Sequence, residues 1–145
     1  MKKKCAIKRR KDQWRDVILR LYGRRFDTAS ITEALGVQPA LTSTRGYIKA
    51  KSGKRYFHPY TQWILSPRVH RGASIETRVH EILKLIAGKE DALRRVLKNK
   101  GVRAELSIAV LPGEDVTRWS LLLPSELTRK FTDLGIDVRV WVHLF

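Results

Sequence analysis

Cysteine is nearly absent from this chain. Cys5 stands alone among 145 residues, which excludes a disulfide framework and a thiolate metal cluster. A reducing, cytoplasmic setting is the expectation. Long apolar runs are missing as well. No stretch approaches the ~18 apolar residues that a membrane helix requires. The opening MKKKCAIKRRK is charged, but the apolar stretch of roughly ten residues that a secretory signal carries does not follow it. Acidic residues are scarce in one half only. Residues 1–72 hold four (Asp12, Asp16, Asp27, Glu33) against 18 Lys and Arg, whereas residues 73–145 hold 10 against 12. The net charge of +16 is therefore a local property, and it points toward an anionic partner of the N-terminal half.

Signatures of catalysis are lacking too. His80-Glu81 begins like the zinc-protease pattern His-Glu-x-x-His, but Lys84 occupies the last position. Glu76 and His80 share a helix face at i, i+4 and read as a solvated pair rather than a metal site. His143 falls on the polar side of the final strand and reads as a partly covered sheet residue. The phosphate-cradling glycine motifs and the nucleophile elbow are absent, and the few carboxylates are scattered. The expectation is a binding domain, not an enzyme, with no cofactor and no metal.

What the chain does contain is patterned. At 145 residues it is one domain's worth, long enough to bury roughly 70% of its unfolded surface. Residues 1–13 carry most of a lysine and arginine run without apolar periodicity and are expected to form a disordered basic arm. The remainder, 14–145, is expected to form a single domain. Val17, Leu19 and Leu21 alternate with Asp16, Ile18 and Arg20, the period of a strand. Asp27 or Thr28 is placed to cap a short helix ending at Leu35-Gly36, glycine being the residue that best tolerates the left-handed stop. Ser74 is a cap for an amphipathic helix lined by Ile75, Val79, Ile82 and Ile86, and a second helix is expected from Lys89 to Asn99. Val102, Ala104, Leu106, Ile108 and Val110 alternate cleanly.

The helix ending ITEALGV at 31–37 is echoed by FTDLGID at 131–137. Around each, the reading is strand, short helix, Leu-Gly stop, strand, with Trp119–Leu123 and Ile136–Leu144 as the strands of the second unit. Thr61–Leu65 reads as a further strand, and Ser52-Gly53 as a turn within a loop or hairpin. The order β-α-loop-β-α-α-β-β-α-β mixes helices and strands, so the fold class expected is α+β: a largely antiparallel sheet with helices packed on it. The doubled unit suggests a pseudo-symmetric strand-helix-strand repeat of ferredoxin-like character.

The segments YGRRFDTASITEALGVQP, QWILS around Trp63, SIETRVHEILKLIAG and LLLPSELTRKFTDLGIDVRVWVHL together resemble a bacterial family catalogued as domain of unknown function 4279. The resemblance spans roughly residues 15–144. Its motifs are capped helices, Leu-Gly stops and core tryptophans, so it implies a fold and assigns no catalytic residues. The dense charge of residues 1–72 departs from what the family leads one to expect.

The positive signal lies between residues 45 and 71. This stretch holds Arg45, Lys49, Lys51, Lys54, Arg55, Arg68 and Arg71 with no acid, and Tyr47, Tyr56, Phe57, His58 and Tyr60 are interleaved. Cations neutralise phosphates and release counterions, while exposed rings give unpaired bases a platform. Of these, Arg45, Tyr47, Lys49, Lys51, Lys54, Arg55, Tyr56, Tyr60, Arg68 and Arg71 are the candidate surface for nucleic acid or, in the competing reading, for an acidic partner. The competing expectation is a protein-interaction module docking an acidic partner, such as a toxin-neutralising protein. A homodimer through the edge of the last strand is a further expectation.

Overall fold

The computed structural model describes residues 14–99, 101–111 and 121–143. The expected arm at 1–13, Cys5, the turn at Pro112–Asp115, Trp119 and the final Leu144 and Phe145 lie outside these residues.

Strand β1 (Trp14–Gly23) is the middle of a five-stranded sheet. It pairs antiparallel with β5 (Thr61–Leu65) on one side and with β6 (Arg103–Leu111) on the other. A short strand, β2 (Leu41–Ser43), extends the sheet beyond β5, and β7 (Ile136–Val142) closes the far edge parallel to β6. The order is β2-β5-β1-β6-β7, and β3 (Gly46–Lys49) and β4 (Arg55–His58) form a separate two-stranded hairpin. The fold is α+β, as expected. One pairing in the sheet is parallel because β6 and β7 are joined through a helix, and such a crossover returns the chain in the same direction.

Alternation decides which face is covered. Val17, Leu19, Leu21, Trp63, Leu65, Ala104, Leu106, Ile108 and Ile136 all point to one side and are buried. Helices α1 (Thr28–Leu35), α2 (Ile75–Ile86), α3 (Glu90–Leu97) and α4 (Ser125–Thr132) cover that side. Ile31 and Leu35, then Ile75, Val79, Ile82 and Ile86, Leu93, and Leu127 with Phe131 join the strand residues in one core. Trp63 is completely buried, and its indole N–H donates to Thr32 Oγ1 at 3.0 Å, so its polar edge is satisfied on α1. The opposite side of β5, β1, β6 and β7 carries Gln62, Arg20, Tyr22, Glu105, Arg139 and Trp141 and has no helix against it among the described residues.

The helices begin and end as their local chemistry requires. The Asp27 carboxylate accepts from the Ala29 amide at 3.0 Å and from the Ser30 hydroxyl at 2.6 Å. Gly36 then ends α1 at φ 61°. Ser74 Oγ accepts from the Thr77 amide at the start of α2. Arg78, almost fully buried, donates to the carbonyls of His70, Arg71 and Ala73 and thereby pins the loop that leads into α2.

Two expectations change. The strand expected over Trp119–Leu123 is not formed at residues 121–123, which are irregular. Leu121 and Leu123 still pack against the core while Leu122 is 87% exposed. An extended chain laid across a core alternates in burial without pairing, and β7 occupies the place beside β6. The two Leu-Gly units are also unequal. Leu35 and Leu134 are both buried and Gly36 and Gly135 both adopt positive φ. The first unit, however, leads to β2, with β5 lying between it and β1, whereas β7 sits directly beside β6.

Candidate nucleic-acid interface

In the hairpin, Tyr47 faces Phe57 and Lys49 faces Arg55 across the two strands. Residues two apart on a strand share a face, so one side of the hairpin carries two rings and two cations. The Tyr47 and Phe57 rings meet edge to face, 5.2 Å apart at 60°, and the Arg45 guanidinium lies over the Phe57 ring at 5.3 Å. Tyr47 is 75% exposed and Phe57 46%. Tyr56, also exposed, lies on the other side with Ile48. Lys51 and Lys54 project from the connecting turn, where Gly53 takes φ 82° and the Ala50 amide donates to the Lys54 carbonyl at 2.8 Å. The rings that the sequence placed among these cations thus reach solvent.

Side chains at its root hold the hairpin to the sheet. Thr61, buried at the start of β5, accepts from the Arg45 amide at 3.2 Å and donates to the Arg24 carbonyl at 3.4 Å. His58 Nδ1 donates to the Tyr60 carbonyl at 2.8 Å, which leaves Nε2 to accept from Gln62 Nε2 at 3.1 Å. Gln62 Oε1 in turn accepts from Arg20 Nη1. This chain of polar contacts carries the hairpin's orientation into the middle of the sheet.

Of the ten residues grouped from the sequence, eight lie on the hairpin or at its root: Arg45, Tyr47, Lys49, Lys51, Lys54, Arg55, Tyr56 and Tyr60, with Tyr56 on the side opposite Tyr47. Arg68 and Arg71 do not join them. They follow β5, whose five residues run away from the hairpin for about 13 Å at ~3.3 Å per residue. In their place the fold supplies Arg24 and Arg25 from the turn after β1. With Arg45, Gly46, Phe57 and Thr61 these line a cleft of about 390 Å³ at the hairpin root. Nothing local to Gly23-Arg24-Arg25 announces a neighbour some twenty residues away.

Elsewhere several cations face carboxylates: Arg20, Arg139, Lys84 and Arg94 each lie within 3.4 Å of one. Glu105, 1% exposed, sits between Arg20 at 3.4 Å and Arg139 at 3.2 Å. Its Oε2 meets Arg139 as an ion pair without the alignment of a hydrogen bond. The Glu76–His80 pair is 3.7 Å apart and exposed. Among the described residues no three His, Cys, Asp or Glu side chains converge as metal ligands, and no helix is long and apolar enough to cross a membrane. His143 is exposed rather than partly covered.

A family described as a domain of unknown function, DUF4279, matches residues 12–144. The chain belongs to that family. No curated protein and no solved structure matches it. The DUF4279 match takes in the hairpin, the turn after β1 and every element of the sheet.

Proposed function

We propose that this DUF4279 domain binds nucleic acid through the hairpin and its root, as a binding domain rather than an enzyme. The observation that supports this most is the exposed Tyr47–Phe57 pair beneath Arg45, in a stretch that contains no carboxylate. Phosphates meet Arg45, Lys49, Lys51, Lys54 and Arg55, and unpaired bases stack on the rings, each stacked base being worth about 1–3 kcal/mol. The cations give the attraction and the rings the preference for a polymer with planar groups. A merely acidic partner would use the first and leave the second idle.

The test is a salt series. Full-length protein is titrated with a labelled single-stranded oligonucleotide, and log affinity is plotted against log salt. Replacing Lys49, Lys51, Lys54 and Arg55 together by Ala is expected to flatten the slope by up to ~3, at roughly 0.7 for each phosphate no longer neutralised. An unchanged slope removes the hairpin from the binding surface. A pull-down that survives nuclease treatment and returns an acidic protein would instead favour the protein-docking reading.

A further inference from the structure

We propose that a second cleft beside the hairpin root receives one base of an unpaired strand, with Tyr60 as its platform and Arg24 and Arg103 as its phosphate contacts. The inference rests on the nucleic-acid reading above and adds residues outside the charged stretch. This cleft, about 370 Å³, is lined by Tyr22, Gly23, Arg24, Tyr60, Gly101 and Arg103. Arg24 also lines the cleft at the hairpin root, so it stands as a shared wall between the two. Neither lining contains a carboxylate. The nearby acids are engaged elsewhere: Glu105 by Arg20 and Arg139, and Asp27 by the first turn of α1.

The cleft is shaped before any ligand arrives. Tyr22 and Tyr60 meet edge to face at 5.6 Å and 74°. Arg20, held by Glu105 and Gln62, stacks on the Tyr22 ring at 4.5 Å and fixes it from the sheet side. Tyr60 is 42% exposed, and its own carbonyl is held by His58. A ring supported in this way offers a surface at little entropic cost. The floor is equally constrained. A Cβ on Gly23 would lie 1.8 Å from the Gly101 carbonyl oxygen, so the end of β1 and the approach to β6 touch only because residue 23 is glycine. Concavity decides the class of polymer. A duplex keeps its base faces stacked inside, and a platform of this kind is useful only to a strand whose bases are free. Two cations and two rings in one lining suit a base with its flanking phosphates.

The experiment uses full-length protein, a labelled oligouridylate of twelve nucleotides, and a duplex of equal length. Tyr60→Ala is expected to weaken oligouridylate binding about tenfold or more with the salt slope unchanged, and to leave duplex binding as it was. Tyr60→Phe, which keeps the ring, is expected to retain affinity. Arg103→Ala, an exposed change that does not touch the core, is expected to lower the salt slope by about 0.7. The cleft is excluded if Tyr60→Ala stays within twofold of wild type while the fourfold hairpin variant loses binding, and in that case the broader reading survives. Equal losses on single strand and duplex also overturn the proposal. Displacement of the oligonucleotide by polyglutamate at matched charge would show that charge alone is read. If wild-type protein binds neither nucleic acid, the broader reading falls and takes this one with it.

Discussion

The hairpin corner and the cleft between α2, α3 and α4 are both rich in Lys and Arg, yet they differ in what faces those cations. The helical cleft is the larger, about 530 Å³. Beside it, Lys84 lies 2.6 Å from Glu81, Arg94 lies 3.2 Å from Asp91, and His80 lies near Glu76. These are i, i+3 and i, i+4 pairs within single helices, the ordinary charge pattern of a solvated helix surface. At the corner, Arg24, Arg25, Arg45 and Arg103 line two adjoining clefts without a carboxylate, and Phe57, Tyr22 and Tyr60 stand among them. Cavity size ranks these regions the wrong way round for binding an anion. Linings free of carboxylates beside exposed rings favour the corner instead, since Glu90 and Asp133 line the helical cleft.

The most decisive way to break this comparison is to remove cations from each side. Replacing Lys84, Arg94 and Lys130 by Ala is expected to leave the oligonucleotide salt slope within about 0.5 of wild type, against the fall of up to ~3 from the hairpin variant. Equal slopes would show that total charge, not placement, governs the interaction. Glycine substitutions sharpen it next. Gly23→Ala forces a backbone clash and is expected to lower stability by about 1–3 kcal/mol, with loss of strand affinity. Gly88→Ala has open space and only an unfavourable φ of 76°, so it should cost about 1–2 kcal/mol and leave affinity intact. Thermal melts and titrations on the same samples distinguish the two.

Glu105→Gln probes the comparison from the opposite direction. It removes the carboxylate that occupies Arg20 and Arg139, and stability is expected to fall by about 1–3 kcal/mol, tempered because Arg139 is half exposed. Oligonucleotide affinity at low salt should rise, since Arg20 then joins the unmatched cations beside Tyr22. A fall in affinity would show that Glu105 serves chiefly to hold Tyr22 in place through Arg20. The smallest effect belongs to Asp27. The Ser30 hydroxyl and the Ala29 amide donate to its carboxylate and hold it below the usual 3.8. Because the folded value is depressed, its contribution is complete above the ordinary carboxylate range and is lost as pH falls through it. Asp27→Ala should therefore lower the melting temperature at pH 7, with the difference from wild type shrinking toward pH 2 and nucleic-acid affinity unaffected.

Much of the fold was readable residue by residue. Thr61–Leu65 is a strand with those bounds, Ser74 caps α2, Gly36 ends α1, and Gly53 sits in the hairpin turn. Each of these depends on backbone preferences or alternation within a few residues. The segment around Leu121 misled for the same reason: its alternation is real, but pairing needs a neighbour, and alternation names none. The candidate surface was half legible. Arg45 through Tyr60 are adjacent in sequence and share the hairpin and its root, whereas Arg68 and Arg71 are near only along the chain and are carried off by β5.

By itself, the sequence determined which side chains of β1, β6 and α2 turn inward, where α1 stops, and that the positive charge gathers in one half. Those outcomes follow from local periods, from glycine's access to positive φ, and from composition. Only the tertiary structure decided that β5 and β6 flank β1, and with it that Arg24 and Arg103 meet Tyr60 beside Arg45. Strand partners are chosen by burial and hydrogen bonding between segments forty and eighty residues apart, as with Arg20 opposite Ile64 and Glu105, and no local pattern encodes that choice.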